Sequence, residues 1–476
     1  MKIQRLLIAA LILCLVSAQL RLEDQIKKEQ QSESWLEKLL DYFRPKNKLS
    51  VTTECNALNF TAYDGLSYSG YLSVGKNLKS ALGFIFYGAK GRTVEQIRTL
   101  PTIIWLNGGP GCSSQFGNFF ELGPLYVNQT SSGSFYFTPN NYTWTNEYNV
   151  IFVDQPVGTG ISYADTSSEI PQNQDQVAQQ FLYALDQLYN TPNGCFNQVG
   201  LTPKSPLFIF GESYAGKYVP SIAARALKEN NIFNIQGIGV VDGFTVPYYV
   251  VGSLSEFSHL NNLTTNTQYQ HGLQVAAQAQ KAINSSQFQL ASSYFNQDMS
   301  INNPQNLDVY NIHRKDEPDA SALDNLFNSA YGQQLFKLRN KKYSQCDNTV
   351  YARFANDFMK GDTINAVEYL LEQDFPVNYF NGNLDLIVPY IGTQQLLSVL
   401  NWSGQSQFNS APTTEWAADG AVYGTVKTYK NLQYKLVYNS GHMVPQDQPA
   451  AALNLVTEAV NRSLQYNQNK SQIRNY

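Results

Sequence analysis

The sequence predicts an α/β fold, a mostly parallel central sheet with helices on both faces and an inserted helical cap subdomain. Six short apolar runs carry the first part of that expectation: Thr102–Trp105, Val150–Val153, Leu207–Phe210, Gly237–Val241, Val377–Phe380 and Lys435–Tyr438. Runs of this length without alternation are what strands buried on both faces look like. Segments of helical period lie between them, which indicates a sheet covered on both sides. Finally, 134 residues run from Gly243 to Pro376, far more than a single crossover needs.

Taken in chain order, Lys2 and Arg5 precede an apolar run from Leu6 to Val16, followed by the small residues Ser17 and Ala18. That is the pattern of a cleaved signal peptide over residues 1–18. The run is shorter than the roughly 20 apolar residues a membrane span requires, so no membrane anchor is expected. Residues 19–49 form a polar segment with an amphipathic turn at Trp35, Leu39, Leu40 and Phe43, read equally well as a pro-segment or an N-terminal helix. The core is assigned to residues 50–242 and 377–476. Within it Val177, Phe181, Leu182, Leu185 and Leu188 share one helical face, and Pro449 opens a last helix carrying Leu453, Val456, Val460 and Leu464. Residues 243–376 are assigned to the cap. That stretch is rich in Gln, Asn and Ser from Asn261 to Asn306, but Leu323, Leu326, Phe327 and Ala330 recur at helical spacing.

Without Cys14 the chain keeps Cys55, Cys112, Cys195 and Cys346, none in a C-x-x-C pair. An even count in a secreted chain indicates disulfides rather than a metal site, with three connectivities open. Eight Asn-x-Ser/Thr sequons, at Asn59, Asn128, Asn141, Asn262, Asn284, Asn401, Asn461 and Asn469, fit the same secretory route. Net charge is only −4 and charged residues are 15%, below the usual ~25%. Nothing in that balance suits a nucleic acid or an anionic membrane.

The chemistry begins after the Leu207–Phe210 run, where Gly211-Glu212-Ser213-Tyr214-Ala215-Gly216 sets a serine among small residues at a strand-to-helix turn. Ser213 is the candidate nucleophile. Of the four histidines, His259, His271 and His313 lie in the insertion, whereas His442 follows the Lys435–Tyr438 run. His442 is therefore the candidate base, and Asp385, just past Val377–Phe380, is the candidate carboxylate that orients it. The order Ser213, Asp385, His442 is that of the α/β-hydrolase fold. An acyl-transfer site also needs N–H donors for the oxyanion. The loop Trp105-Leu106-Asn107-Gly108-Gly109-Pro110-Gly111-Cys112-Ser113-Ser114 offers Gly109, to pair with Tyr214. As a phosphate loop it lacks both the Lys and the spacing.

Four segments, Trp105–Ser114, Val153–Gly160, Gly211–Pro220 and Gly441–Pro449, resemble the signature blocks of the serine carboxypeptidase family. The likeness runs from about Thr61 to the C-terminus and lies on the cathepsin A and vitellogenic-like side of the family. The resemblance implies peptide or protein C-termini as substrate and no cofactor. It also implies that Asn107, Glu121 and Glu212, beside Trp105, hold the substrate's terminal carboxylate, and that Cys112 is bridged to Cys346. Two departures stand out: Asp242-Gly243 replaces the family's usual Asn-Gly, and Asn439-Ser440 replaces a small pair before Gly441-His442. An acyltransferase and a non-catalytic binding protein are the alternatives on this scaffold. Glu212 favours hydrolysis, because the transferase branch typically has Asp there. The oligomeric state, a homodimer included, and a lysosomal, vacuolar or extracellular destination stay open.

Overall fold

The structure, a computed structural model, describes residues 54–474 apart from 76–77, 191–193, 231, 340 and 419. The expected signal peptide and polar segment lie outside these residues. The strands are β1 (Glu54–Ala57), β2 (Ser67–Val74), β3 (Ser80–Tyr87), β4 (Thr102–Leu106), β5 (Leu125–Gln129), β6 (Phe135–Pro139), β7 (Asn149–Val153), β8 (Leu207–Glu212), β9 (Ile235–Val241), β10 (Val377–Gly382), β11 (Thr414–Ala418), β12 (Ala421–Tyr429) and β13 (Leu432–Val437). Among the described residues, eleven of them form one sheet in the order β1-β2-β3-β7-β4-β8-β9-β10-β13-β12-β11, and β5 and β6 form a separate hairpin.

The six central strands, β7 to β13 in that order, are parallel to one another. They are the six apolar runs of the sequence, with β13 beginning three residues earlier and ending before Tyr438. β4 and β7 are buried at every position, as a sheet covered on both faces requires. Alternate side chains feed two cores: Ile104, Leu106, Leu207 and Ile209 enter one, while Ile103, Trp105, Phe208 and Phe210 enter the other. On the first face lie the helices Gln174–Asn190 and Ala215–Lys228. On the second lies Pro449–Arg474, through Ala452, Leu455, Val456, Ala459 and Val460. Of the antiparallel outer strands β3 is an apolar run buried at every position that was not among the six, whereas β12 is largely exposed or half-buried.

Between β9 and β10 the polar stretch folds into helices Pro247–Leu260, Asn266–Asn284 and Phe288–Asn302. Thr265 and Gln268 form a capping box at the start of the second. The period seen at Leu323, Leu326 and Phe327 is one helix, Ser321–Asn328, and these three side chains are buried. Ala330 does not belong to it. Ser329 is extended at ψ 154° and its hydroxyl caps a second helix, Ala330–Leu335. Two disulfides, Cys55–Cys195 and Cys112–Cys346, close loops of 140 and 234 residues. In the chain-entropy model each removes about 4–5 kcal/mol of unfolded-state freedom.

Two buried carboxyls bear on stability. Asp154 accepts from Ser113 Oγ, Ser114 N and Ile161 N at 2.7–2.8 Å, and Asp298 accepts from Asn302 Nδ2 at 2.7 Å. Burial nevertheless pushes them up to about 6 and about 7, respectively. Both therefore bind protons more tightly when folded, and their contribution is fully present below about pH 4 and lost as pH rises towards 7. The thermal midpoint should be higher at pH 4.5 than at pH 7.5, by roughly 5 °C. Asp298→Asn should narrow that gap. Melting curves across pH check both, and a midpoint that rises with pH would contradict them.

Candidate active site

Ser213 follows β8 with φ +64°, a left-handed conformation that a non-glycine residue adopts only when its surroundings hold it there. Its N–H donates to Val241 O at 3.1 Å, and its carbonyl accepts from Gly216 N and Phe244 N, both at 2.8 Å. The turn is tight enough that a Cβ on Gly211 would lie 2.7 Å from the Ala215 Cβ and 2.8 Å from Leu106 O. Alanine is thus tolerated at 215 because glycine stands at 211. A Cβ on Gly108 would lie 2.3 Å from Tyr214 N, so the glycine-rich loop packs against the amide that follows the serine.

The loop after β13 brings His442 to the loop after β10, and His442 Nδ1 lies 2.7 Å from Asp385 Oδ2. The other Asp385 oxygen accepts from Val388 N at 3.0 Å. His442 Nε2 is buried and has no partner in the protein. Ser213, His442, Gly109 and Tyr214 line one cavity of about 650 Å³, together with Asn107, Glu212 and the insertion residues Phe244, Phe295 and Tyr310.

Next to Ser213 lies a buried polar cluster. Asn107 Oδ1 accepts from Trp105 Nε1 at 2.8 Å and Gly117 N at 3.2 Å. Its Nδ2 is thereby aimed at the two carboxyls, donating to Glu121 Oε1 and Glu212 Oε1 at 3.2 Å each. The remaining oxygen of each carboxyl is buried without a donor. Burial pushes Glu121 up to about 7. Burial and the neighbouring Glu121 hold Glu212 well above the usual carboxylate range. Two such carboxyls retain a proton between them in acid. Asn107 and Glu212 reach the cavity wall. Trp105 and Glu121 sit behind them, Trp105 orienting the amide.

The chain has counterparts among known proteins. The family model for serine carboxypeptidase matches residues 59–462. The chain belongs to the serine carboxypeptidase family. The enzyme is thus a serine-type carboxypeptidase, a hydrolase. It is 28% identical to serine carboxypeptidase-like 48 of Arabidopsis thaliana over 82% of this chain and 77% of that one. It is 29% identical to serine carboxypeptidase S10 family member 1 of Dictyostelium discoideum over 86% and 97%. Among solved structures it superposes on Kex1Δp, a prohormone-processing carboxypeptidase from Saccharomyces cerevisiae, with a TM-score of 0.73. That match covers 86% of this chain and 96% of the other at 23% identity, which supports the α/β-hydrolase fold.

Several residues of the enzyme's site had no role assigned from sequence. Asp357 accepts from Tyr214 Oη at 2.5 Å and Gln174 Nε2 at 2.7 Å. Lys217, pushed down to about 8 by burial, donates to the carbonyls of Asp357 and Lys360 at 2.5 and 2.6 Å. The insertion thus holds the start of the helix that follows Ser213. Asp242, at the end of β9, lies within 4.8 Å of Asp385 and His442. Asp154, at the end of β7, holds Ser113 and Ser114 of the glycine-rich loop. Only the run Val153–Gly160 pointed to it. Asp154→Asn would set an amide N–H₂ against donors on one side and release that loop. kcat should fall by about 10–100-fold, less than the roughly 100–1000-fold of an oxyanion donor removed outright, with KM changed much less. Steady-state kinetics test this, and an unaffected kcat would remove Asp154 from the site.

Proposed function

We propose that the enzyme releases C-terminal amino acids from peptides by acyl transfer to water, with Ser213 as nucleophile. His442 takes the serine proton and later protonates the leaving amine, while Asp385 holds the imidazole tautomer. The oxyanion rests on the N–H groups of Gly109 and Tyr214. The substrate's terminal carboxylate docks on Asn107 and on the Glu121/Glu212 pair.

The observation that carries this reading is that buried pair, joined through Asn107 beside the nucleophile. A hydrolase that accepts any ester or amide has no need of it. A pair that keeps one proton can donate it to a carboxylate, whereas a fully ionised pair repels one. Burial holds Glu121 near 7, and burial with the neighbouring Glu121 holds Glu212 well above the usual carboxylate range, so binding is favoured in acid and lost as the pair ionises. An acid working pH suits a lysosomal or vacuolar destination. The two disulfides and the sequons fit passage through an oxidising compartment. Among the described residues no helix is long and apolar enough to cross a membrane.

An assay of blocked dipeptides across pH tests the proposal. KM should rise about tenfold or more between pH 5 and pH 7.5 for free-acid peptides, and stay nearly flat for the corresponding amides. Glu121→Gln with Glu212→Gln should flatten the free-acid profile, since glutamine donates at any pH. Ser213→Ala should remove activity without unfolding the chain. The C-terminal amino acid leaves at acylation in either case, so the discriminating product is the acyl part, which with an alcohol present should still be released as the free acid. Ester as the main product would indicate a transferase, and a steep KM rise in the double variant would discard the carboxyl pair.

A further inference from the structure

Asp242 is fully buried and held at φ +45°. Its N–H donates to Phe380 O at 2.8 Å, which ties it to β10. One carboxyl oxygen, Oδ1, accepts from Gly382 N at 2.9 Å and from Asn381 Nδ2 at 3.2 Å. The other, Oδ2, is buried and receives no donor. Beside it stands Asp385, and an oxygen of each carboxyl lies within 4.8 Å of the other and of a ring nitrogen of His442.

Both oxygens of Asp385 accept from N–H groups, Oδ1 from Val388 and Oδ2 from His442. A proton on Asp385 would have to displace one of those donors. Oδ2 of Asp242 has no donor to displace, so a single proton shared by the two carboxyls belongs there. Two anions this close inside the protein would repel strongly, whereas an acid beside an anion forms a charge-assisted hydrogen bond.

We propose that Asp242 is a positioning residue of the catalytic centre, donating a hydrogen bond from its carboxyl to Asp385 and so fixing the direction in which Asp385 holds His442. The inference rests on the reading of Ser213, Asp385 and His442 as the acyl-transfer machinery. Burial and the charge of Asp385 hold the Asp242 carboxyl well above its ordinary range. The titratable groups facing it are Asp385, His442, Glu212 from the end of β8 and Tyr434 from β13. None of these supplies a fixed positive charge. The contact is therefore attractive in acid and turns repulsive once Asp242 ionises, which sets an upper pH limit on turnover separate from the limit on peptide binding.

The test uses an ester substrate with no terminal carboxylate, so that docking on Glu121 and Glu212 drops out, and compares wild type, Asp242→Asn and Asp242→Ala in the full chain. Asp242→Ala should lower kcat by about 30-fold or more with KM within about threefold, the pattern of a lost orienting contact. Asp242→Asn, whose amide donates at every pH, should restore most of kcat at pH 5. It should also carry turnover at least about one pH unit further into the alkaline range than wild type. An alkaline limb of Asp242→Asn that coincides with that of wild type would overturn the proposal, as would a normal kcat in Asp242→Ala. Should Asp242→Ala fail to fold by circular dichroism, the limb of Asp242→Asn decides alone. Ser213→Ala separates the two readings: if it still cleaves the ester, the catalytic assignment fails. If cleavage depends on Ser213 while Asp242→Asn matches wild type throughout, only the role of Asp242 fails.

Discussion

The parallel pairing of six strands is the constraint on which the site depends. In register, β7, β4, β8, β9, β10 and β13 all end at one edge of the sheet. The chain beyond those ends supplies Asp154, Asn107, Ser213, Asp242, Asp385 and His442, respectively. Six polar side chains from segments hundreds of residues apart are thus gathered without any local motif joining them. A slip of one residue in any pairing would turn that strand's side chains to the opposite face and withdraw its contribution. The apolar filling of both faces, Ile104 and Ile209 on one and Trp105 and Phe210 on the other, makes such a slip costly. The precision of the site is therefore maintained by the two cores rather than by the site's own hydrogen bonds.

What this edge collects is mainly carboxyl groups, and most are cut off from water. Asp154, Glu121, Glu212 and Asp242 are all displaced upward, and burial is the largest cause in each case. Nearby cations offset this little: Lys341 lowers Asp154, by less than burial raises it. Lys341 is spent on the carbonyls of Gly158, Gly160 and Ser162, and Lys217 on those of Asp357 and Lys360. The charge problem is met instead by protons and by N–H donors. That solution holds in acid and weakens towards neutrality, so all four groups respond to pH in the same direction.

The insertion is built into this edge. Val309 O accepts from Leu386 N and Ile387 N, and Ile312 N donates to Leu384 O at 3.1 Å, which brackets Asp385 on both sides. Tyr310 O accepts from His442 N at 2.7 Å, and the Tyr310 ring lies 5.2 Å from the imidazole. Arg314 bridges Asp308 and Asp447, and Asp447 accepts from Gly441 N at 2.7 Å. The Cys112–Cys346 disulfide fastens the glycine-rich loop to the same insertion. The loops carrying Asp385 and His442 thus draw their conformation from a segment that, among the described residues, contributes no strand to the sheet.

Much of this was legible in the residues. The six central strands were visible because burial on both faces leaves an uninterrupted apolar run. Ser213, Asp385 and His442 could be picked out because each follows such a run and because histidines are few. Strands β1, β11 and β12 were not legible, since half-exposed antiparallel strands leave a mixed pattern, whereas β3, buried throughout, is an apolar run that the six did not include. Ala330 was read into the wrong helix because Ser329, the break, is unremarkable in sequence. Trp105 and Glu121 were grouped with Asn107 and Glu212, but only the structure showed that the first pair stands behind the second. By itself the sequence determined where the six central strands lie and which chemically capable residues follow them, because burial and side-chain type are written along the chain. The tertiary structure alone decided that Asp154 grips the glycine-rich loop and that Asp242 lies against Asp385. Such contacts depend on which strand lies beside which, and strand order arises from packing between distant segments that no local period records.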